Sequence, residues 1–241
     1  MIDKATACDV LTAALSTGGD FAEIFAEHNV RNRLEIVNGI TESVSSRIIY
    51  GAGIRLFIGT SAIYAYTNDL TRENLIAVAK AVAATLDKNA KTPVERFLNF
   101  EYESAHKYII MPADFEKKAI IERLRLASDY SKKASTSIKQ TNSSYQDSVQ
   151  DVLIANSDGL WAEDRRVRNR TVVTAVASNE TEKQTATSTQ GAIAGVEYFN
   201  SVDFAALGDE VGKCAATMLS AKYAPSGKMP VVIDNGFGGV I

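Results

Sequence analysis

The residues able to do chemistry are few. The 241-residue sequence holds two histidines and two cysteines. A zinc centre needs three or four His, Cys or carboxylate ligands grouped in space, commonly two of them close in sequence. Neither His28 nor His106 has a second His or Cys at such spacing. Both are read as structural or surface residues. Cys8 and Cys214 fall in two separate predicted helices, which argues against a disulfide framework. They are read as small buried helix residues rather than nucleophiles. No Gly-x-Ser-x-Gly elbow is present, and no Ser between Ser131 and Ser148 has a His or Lys base nearby, so that segment is read as polar strand and loop.

Two further patterns bear on binding. Gly51-Ala52-Gly53 has the first two glycines of a dinucleotide fingerprint. Leu56 occupies the third position, however, and the segment continues as a strand, so the glycines are read as a bulge or a close backbone approach. In Glu163-Asp164-Arg165-Arg166-Val167-Arg168-Asn169-Arg170, strand periodicity puts Arg166, Arg168 and Arg170 on one face. They could grip phosphate or an acidic partner. Without interleaved aromatics, and with Glu163 and Asp164 beside them, they are read as a solvated face or a charged edge strand.

The elements that must position these residues follow from periodicity. Residues 3–16 form a predicted helix with Ala7, Val10, Leu11 and Ala14 on one face, ended by Gly18 and Gly19. Alternation then predicts strands near 21–28, 31–37, 40–48, 51–58 and 61–67, with turns at Asn38-Gly39 and Gly59-Thr60. A second helix covers 71–87, with Leu75, Val78, Ala79, Val82 and Leu86 as its apolar stripe. The plan then recurs. A helix opens at Pro112 and runs to 133, turning Phe115, Ala119, Ile120, Leu124 and Ala127 inward. A β-rich stretch spans 138–199. A last helix over 202–221 has Ser201 as N-cap and presents Phe204, Leu207, Val211, Cys214 and Met218 on one face. The expected fold class is therefore α+β: two successive modules, each a mainly antiparallel sheet flanked by helices, an apparent duplication. The modules cover 1–95 and 96–224.

Composition bounds the rest. The chain is 46% hydrophobic and 23% charged with net charge −3, which gives no electrostatic reason to expect nucleic acid. No stretch approaches the roughly 20 apolar residues of a membrane span, and the first twenty residues do not form a signal peptide. A reduced, cytoplasmic protein is the simplest reading.

Two segments resemble the TldD/PmbA family, once called modulators of DNA gyrase and understood as metalloproteases. One is Tyr50-Gly51-Ala52-Gly53-Ile54-Arg55-Leu56-Phe57-Ile58-Gly59 with Ala62-Ile63-Tyr64-Ala65-Tyr66-Thr67-Asn68-Asp69-Leu70, similar to the family's Gly-x-Gly-(Ile/Val)-Arg strand pair. The other is Met229-Pro230-Val231-Val232-Ile233-Asp234-Asn235-Gly236-Phe237-Gly238-Gly239-Val240-Ile241. A similar strand and Gly-rich turn in TldD-type members run into a helix bearing His-Glu-x-x-x-His. In layout the resemblance spans essentially the whole chain, at about half a family member's length.

The resemblance implies the amino-terminal half of a zinc metallopeptidase, with 225–241 as the opening strand and turn of its catalytic domain. Two His one helical turn apart can hold Zn²⁺, and the Glu beside them can activate a metal-bound water. No residue of this sequence matches those positions, so no catalytic, cofactor-binding or metal residue is assigned, and zinc is expected only in the full-length parent. The isolated chain is expected to be inactive. The implied partners are a peptide substrate and a second subunit, as a homodimer or as a heterodimer with a TldE/PmbA-like chain, with no membrane or nucleic acid. Two alternatives stay open: the metal-free TldE/PmbA branch, and a modulator that binds protein or DNA directly.

Overall fold

The computed structural model describes residues 1–86, 97–99, 107–233 and 238–240. Helix α1 (Lys4–Ala14) is capped by Asp3, whose carboxylate accepts from the Thr6 N–H at 2.7 Å. Three strands follow: β1 (Phe21–Val37), β2 (Ile40–Ile58) and β3 (Ser61–Thr67). Helix α2 is Arg72–Ala83 and the short β4 is Leu98–Asn99. Helix α3 (Lys117–Ala134) precedes β5 (Ile138–Asn156), β6 (Leu160–Ser178), β7 (Lys183–Ala192) and helix α4 (Phe204–Met218).

The antiparallel strands and flanking helices are those expected, but the strands are longer and fewer. Segments 21–28 and 31–37 fuse into β1, and 40–48 and 51–58 fuse into β2. Between β1 and β2, Asn38 and Gly39 both take positive φ (54° and 82°), as a tight hairpin turn requires. Among the described residues all strands join one seven-stranded sheet in the order β3-β2-β1-β5-β6, with β7 and β4 both on the outer side of β6. The β4–β6 pairing is the only parallel one among the described residues. The two helix–strand–helix segments therefore do not own separate sheets. They are fused where β1 pairs with β5 from Glu23–Asn156 to Val37–Asn142.

The β1–β5 register runs without a shift from Glu23 to Val37, so Ala22, Ile24, Ala26, Leu34 and Ile36 all point to one face. That face carries both cores. At one end α1 and α2 bury Val10, Leu11, Leu75, Ala79 and Val82 against Ile24, Ile54, Leu56 and Leu153. At the other, α3 and α4 bury Leu124, Ala127, Leu207 and Val211 against Leu34, Tyr145, Val173 and Ala175. The opposite face carries no helix among the described residues. It is called the open face below.

Three local expectations are corrected. Helix α4 is capped by Asp203 rather than Ser201: the Asp203 carboxylate accepts from the N–H groups of Ala205 and Ala206, both at 3.0 Å. Ser201 instead donates to the Tyr198 carbonyl and closes a 3₁₀ turn. Cys214 and Met218 are exposed, because α4 packs through Gly208, Gly212 and Ala215 and so turns a smaller-residue stripe inward. Met229–Ile233, expected as a strand, has no strand partner among the described residues, and Val231 and Val232 are exposed. A β-branched run favours extended backbone but needs a neighbouring strand for its hydrogen bonds.

Candidate functional site

The open face begins over the glycine strand. Register places Gly53 between Tyr66 of β3 and Phe25 of β1, while Gly51 lies beside Glu27. Of these two same-face glycines, Gly51 leaves its backbone partly open, while Gly53 is buried beneath the Tyr64 ring. The side chains around them enclose a trough of about 580 Å³ bordered by Phe25, Glu27, Ile49, Tyr64 and Tyr66. A Cβ on Gly53 would collide with the Tyr64 ring, and one on Gly51 would come within 2.6 Å of the Thr67 carbonyl oxygen. The Gly51 approach to the Thr67 backbone leaves room only for glycine, whereas a side chain at Gly53 would displace the exposed Tyr64 ring. Arg55 holds the wall: its guanidinium lies 5.5 Å from the Tyr64 ring centroid and pairs with Glu23 at 3.1 Å. The trough offers aromatic surface, bare backbone and one carboxylate, which suits an extended chain segment rather than a reaction centre.

Along the strands the open face turns polar and cross-linked. Gln150 donates to Glu27 and Asn142 donates to Glu35, each at 2.7 Å. The Asn142 bond, with nearby Arg33, outweighs partial burial and holds the Glu35 carboxyl below the usual range. Asn29 is buried beneath its neighbours. With its amide oriented to satisfy both sides, it donates to Ser148 at 2.9 Å and accepts from Arg31 at 3.1 and 3.2 Å.

Arg166, Arg168 and Arg170 share this face as strand periodicity requires, but they are not isolated. The neighbouring strands place Arg31, Arg33 and Arg47 in the same or adjacent cross-strand rows. Sequence reasoning missed these three, along with Phe25, Glu27, Tyr64 and Tyr66. A two-residue period through Phe25, Glu27, Asn29, Arg31 and Arg33 was available as a signal, but only if β1 is taken as one strand.

His28 lies inside β1 rather than near a strand end, on the helix-bearing face, edge-on to Tyr50 with ring centroids 5.9 Å apart. His106 lies outside the described residues. Cys8 is partly buried, and burial together with Asp9 pushes its thiol pKa up, away from nucleophile chemistry. The Ser131–Ser148 stretch is the end of α3 plus β5. Ser131 donates to the Gly208 carbonyl at 2.8 Å, and Ser143 is buried. Among the described residues no group of three or more His, Cys, Asp or Glu could hold a metal ion, so the residues present do not fit a zinc centre.

One polar row crosses the helix-bearing face between the two cores. Asn32, Asp147 and Asn169 stand opposite one another on β1, β5 and β6. Asn32 donates to Asp147 at 2.8 Å, and Asn169 donates to the carbonyls of Ala194 and Gly195. Burial raises the Asp147 pKa above its ordinary value.

Comparison with known proteins accounts for this architecture. Residues 22–85 match the model described as PmbA/TldA metallopeptidase domain 1, and residues 111–219 match the PmbA/TldA metallopeptidase central domain. The chain is 21% identical over 231 residues to the metalloprotease TldD homolog of Buchnera aphidicola subsp. Schizaphis graminum, covering 92% of this chain and 47% of that protein. To the Haemophilus influenzae TldD homolog it is 25% identical over 229 residues, covering 92% and 48%. The chain thus spans about half the length of the curated relatives it matches.

Among solved structures, a candidate modulator of DNA gyrase from Bacteroides thetaiotaomicron aligns with a TM-score of 0.74 at 16% identity, over 94% of this chain and 53% of that one. TldE from Thermococcus kodakarensis aligns with a TM-score of 0.58 at 11% identity, over 84% and 44%. At these identities the structures speak to fold, while the two domain models and the TldD homologs carry the family. The chain belongs to the TldD/PmbA metallopeptidase family and corresponds to its amino-terminal half.

Proposed function

We propose that this chain is the non-catalytic amino-terminal half of a TldD-like zinc metallopeptidase acting on peptides or small unfolded proteins in the cytoplasm. In this reading residues 1–95 and 96–224 are its two modules, and 225–241 lead into the catalytic domain that carries the zinc ligands. The observation that carries it is the glycine-floored, aromatic-walled trough on the open face of a chain from a metallopeptidase family. A bare strand flanked by aromatic walls can hold an extended peptide largely independently of its sequence.

The free edge of β2 supplies the dimer contact. Strand β3 pairs only with Ala52–Ile58, so among the described residues the outer edge of β2 from Ile40 to Gly51 has no partner strand. Val44 and Ile48 are exposed on it. An exposed edge with β-branched residues is a template for pairing with another chain.

The test is peptide hydrolysis by the full-length protein, with zinc measured on the same sample. Gly53→Val, which displaces the Tyr64 wall of the trough, is expected to raise KM for an unstructured peptide at least about tenfold with kcat and zinc content retained. Unchanged KM would remove the open face from substrate binding. A zinc-free, inactive full-length protein would favour the metal-free TldE/PmbA-type subunit instead.

A further inference from the structure

We propose that the arginine-bearing part of the open face binds a short acidic segment of polypeptide. The inference rests on the reading of this face as part of the substrate cleft and adds a substrate class to it.

Arg47, Arg31, Ser148 and Arg168 form one row across β2, β1, β5 and β6. The next row is Ser45, Arg33, Gln146 and Arg170, and the row before is Ile49, Asn29, Gln150 and Arg166. Six arginines from three strands, far apart in sequence, thus occupy three consecutive rows that contain no carboxylate. This happens in a protein of net charge −3.

Their pairing is incomplete. Arg33 has Glu35 at 3.4 Å and Arg166 has Asp164 at 2.5 Å. Arg31 is held by the neutral Asn29 amide. Among the described residues Arg47, Arg168 and Arg170 make no ion pair, and all three are exposed. Arg31 stands directly opposite Arg47, and like charges in that position destabilise a sheet. The arrangement works against folding, and an arriving anion relieves it.

The face is also shaped. Arg31, Arg168 and Arg170 border a groove of about 580 Å³ whose lining also includes Ser148, Thr189 and Gly191. Asp147 is the one carboxylate residue in that lining, and its side chain is turned to the opposite face, where it accepts from Asn32. Guanidinium groups can meet a carboxylate through two parallel N–H bonds. The length of ligand is limited on both sides, because Glu27 and Asp164 occupy the row before the arginines and Glu35 the row after them. Three rows two residues apart span about 14 Å, the length of roughly four extended residues. A long polyanion would run onto those carboxylates, and the three rows hold no aromatic ring on which a base could stack. A short run of Asp or Glu fits where a nucleic acid does not.

The experiment measures binding of fluorescein-labelled peptides to the full-length protein by anisotropy. One probe carries four consecutive Glu between Gly-Ser flanks, one carries Gln in their place, and a single-stranded oligonucleotide is the third. The Glu peptide is expected to bind about tenfold or more tightly than the Gln peptide at low salt, an advantage that shrinks as salt rises. Arg168→Gln with Arg170→Gln is expected to erase that advantage and leave the Gln peptide unaffected. Arg47→Gln, at an exposed position on the β2 edge, puts folding at little risk and is expected to weaken only the Glu peptide. Equal binding of Glu and Gln peptides, or full retention of Glu binding in both variants, would overturn the inference; intact hydrolysis of neutral peptides would then leave the substrate-cleft reading standing. Oligonucleotide binding with the same arginine dependence would overturn it in favour of a nucleic-acid ligand.

Discussion

Asp147 accepts a 2.8 Å hydrogen bond from Asn32 in the middle of the sheet, in the gap between the two helix-covered cores, and is only 4% exposed. Burial raises its pKa from the ordinary 3.8. A raised carboxyl pKa means that the folded state holds the proton more tightly than the unfolded chain. Its contribution to stability is therefore complete below the unfolded pKa and lost as pH rises through the folded value. Asp147→Asn keeps an acceptor for Asn32 and removes the buried charge. The variant is expected to be more stable at pH 7 by roughly 1 kcal/mol, a Tm rise of about 2–4 °C, with the gap closing toward pH 3. Thermal melts across that range check it. A variant less stable than wild type at pH 7 would mean that the charge itself is used.

Glu197 has the opposite sign. Burial works against its ionisation, but the N–H groups of Ile110 (2.9 Å), Ile109 (3.2 Å) and Gly195 (3.0 Å) all donate to its carboxylate and lower its pKa from 4.5. Stability from this clamp is present above the unfolded pKa and lost as pH falls through the folded one. Glu197→Gln is expected to melt below wild type at pH 7 and to converge with it below about pH 4. Parallel melting curves at all pH values would show that the clamp is independent of charge.

Helices α3 and α4 cross through small residues. A Cβ on Gly208 would strike the Ala127 carbonyl, and Ser131 donates to the Gly208 carbonyl at 2.8 Å. Gly208→Ala gains helix propensity but must push the helices apart, a net loss of about 1–3 kcal/mol. Urea unfolding measures it, and unchanged stability would mean that the crossing has slack.

The dimer proposed at the β2 edge predicts that Ile48→Lys disrupts it. Ile48 is 62% exposed, so the protomer's own melting temperature should hardly move. Sedimentation of the full-length protein should shift from dimer to monomer. A dimer unaffected by Ile48→Lys together with Val44→Lys would place the interface elsewhere.

Local physics was legible in the residues themselves. The apolar stripes Ala7-Val10-Leu11-Ala14 and Leu75-Ala79-Val82 meet the core as their spacing requires. Arg166, Arg168 and Arg170 share a face because β alternation leaves no other choice. Asn38-Gly39 turns the chain where a hairpin needs two positive φ values. The Gly-x-Gly-Ile-Arg strand pair, the Met229–Ile241 segment and the layout between them together indicated the family.

The sequence by itself determined helix faces, strand alternation, turn positions and kinship, because each depends on residues within a few positions of one another. Tertiary structure alone decided that two modules share one sheet, since the β1–β5 register joins Glu23 to Asn156 and Val37 to Asn142. It also decided that Gly53 lies beneath the Tyr64 ring and that Arg31 and Arg47 complete the Arg168 row. Periodicity tells a residue which way it faces but not which strand lies beside it. The candidate site is made entirely of such neighbours.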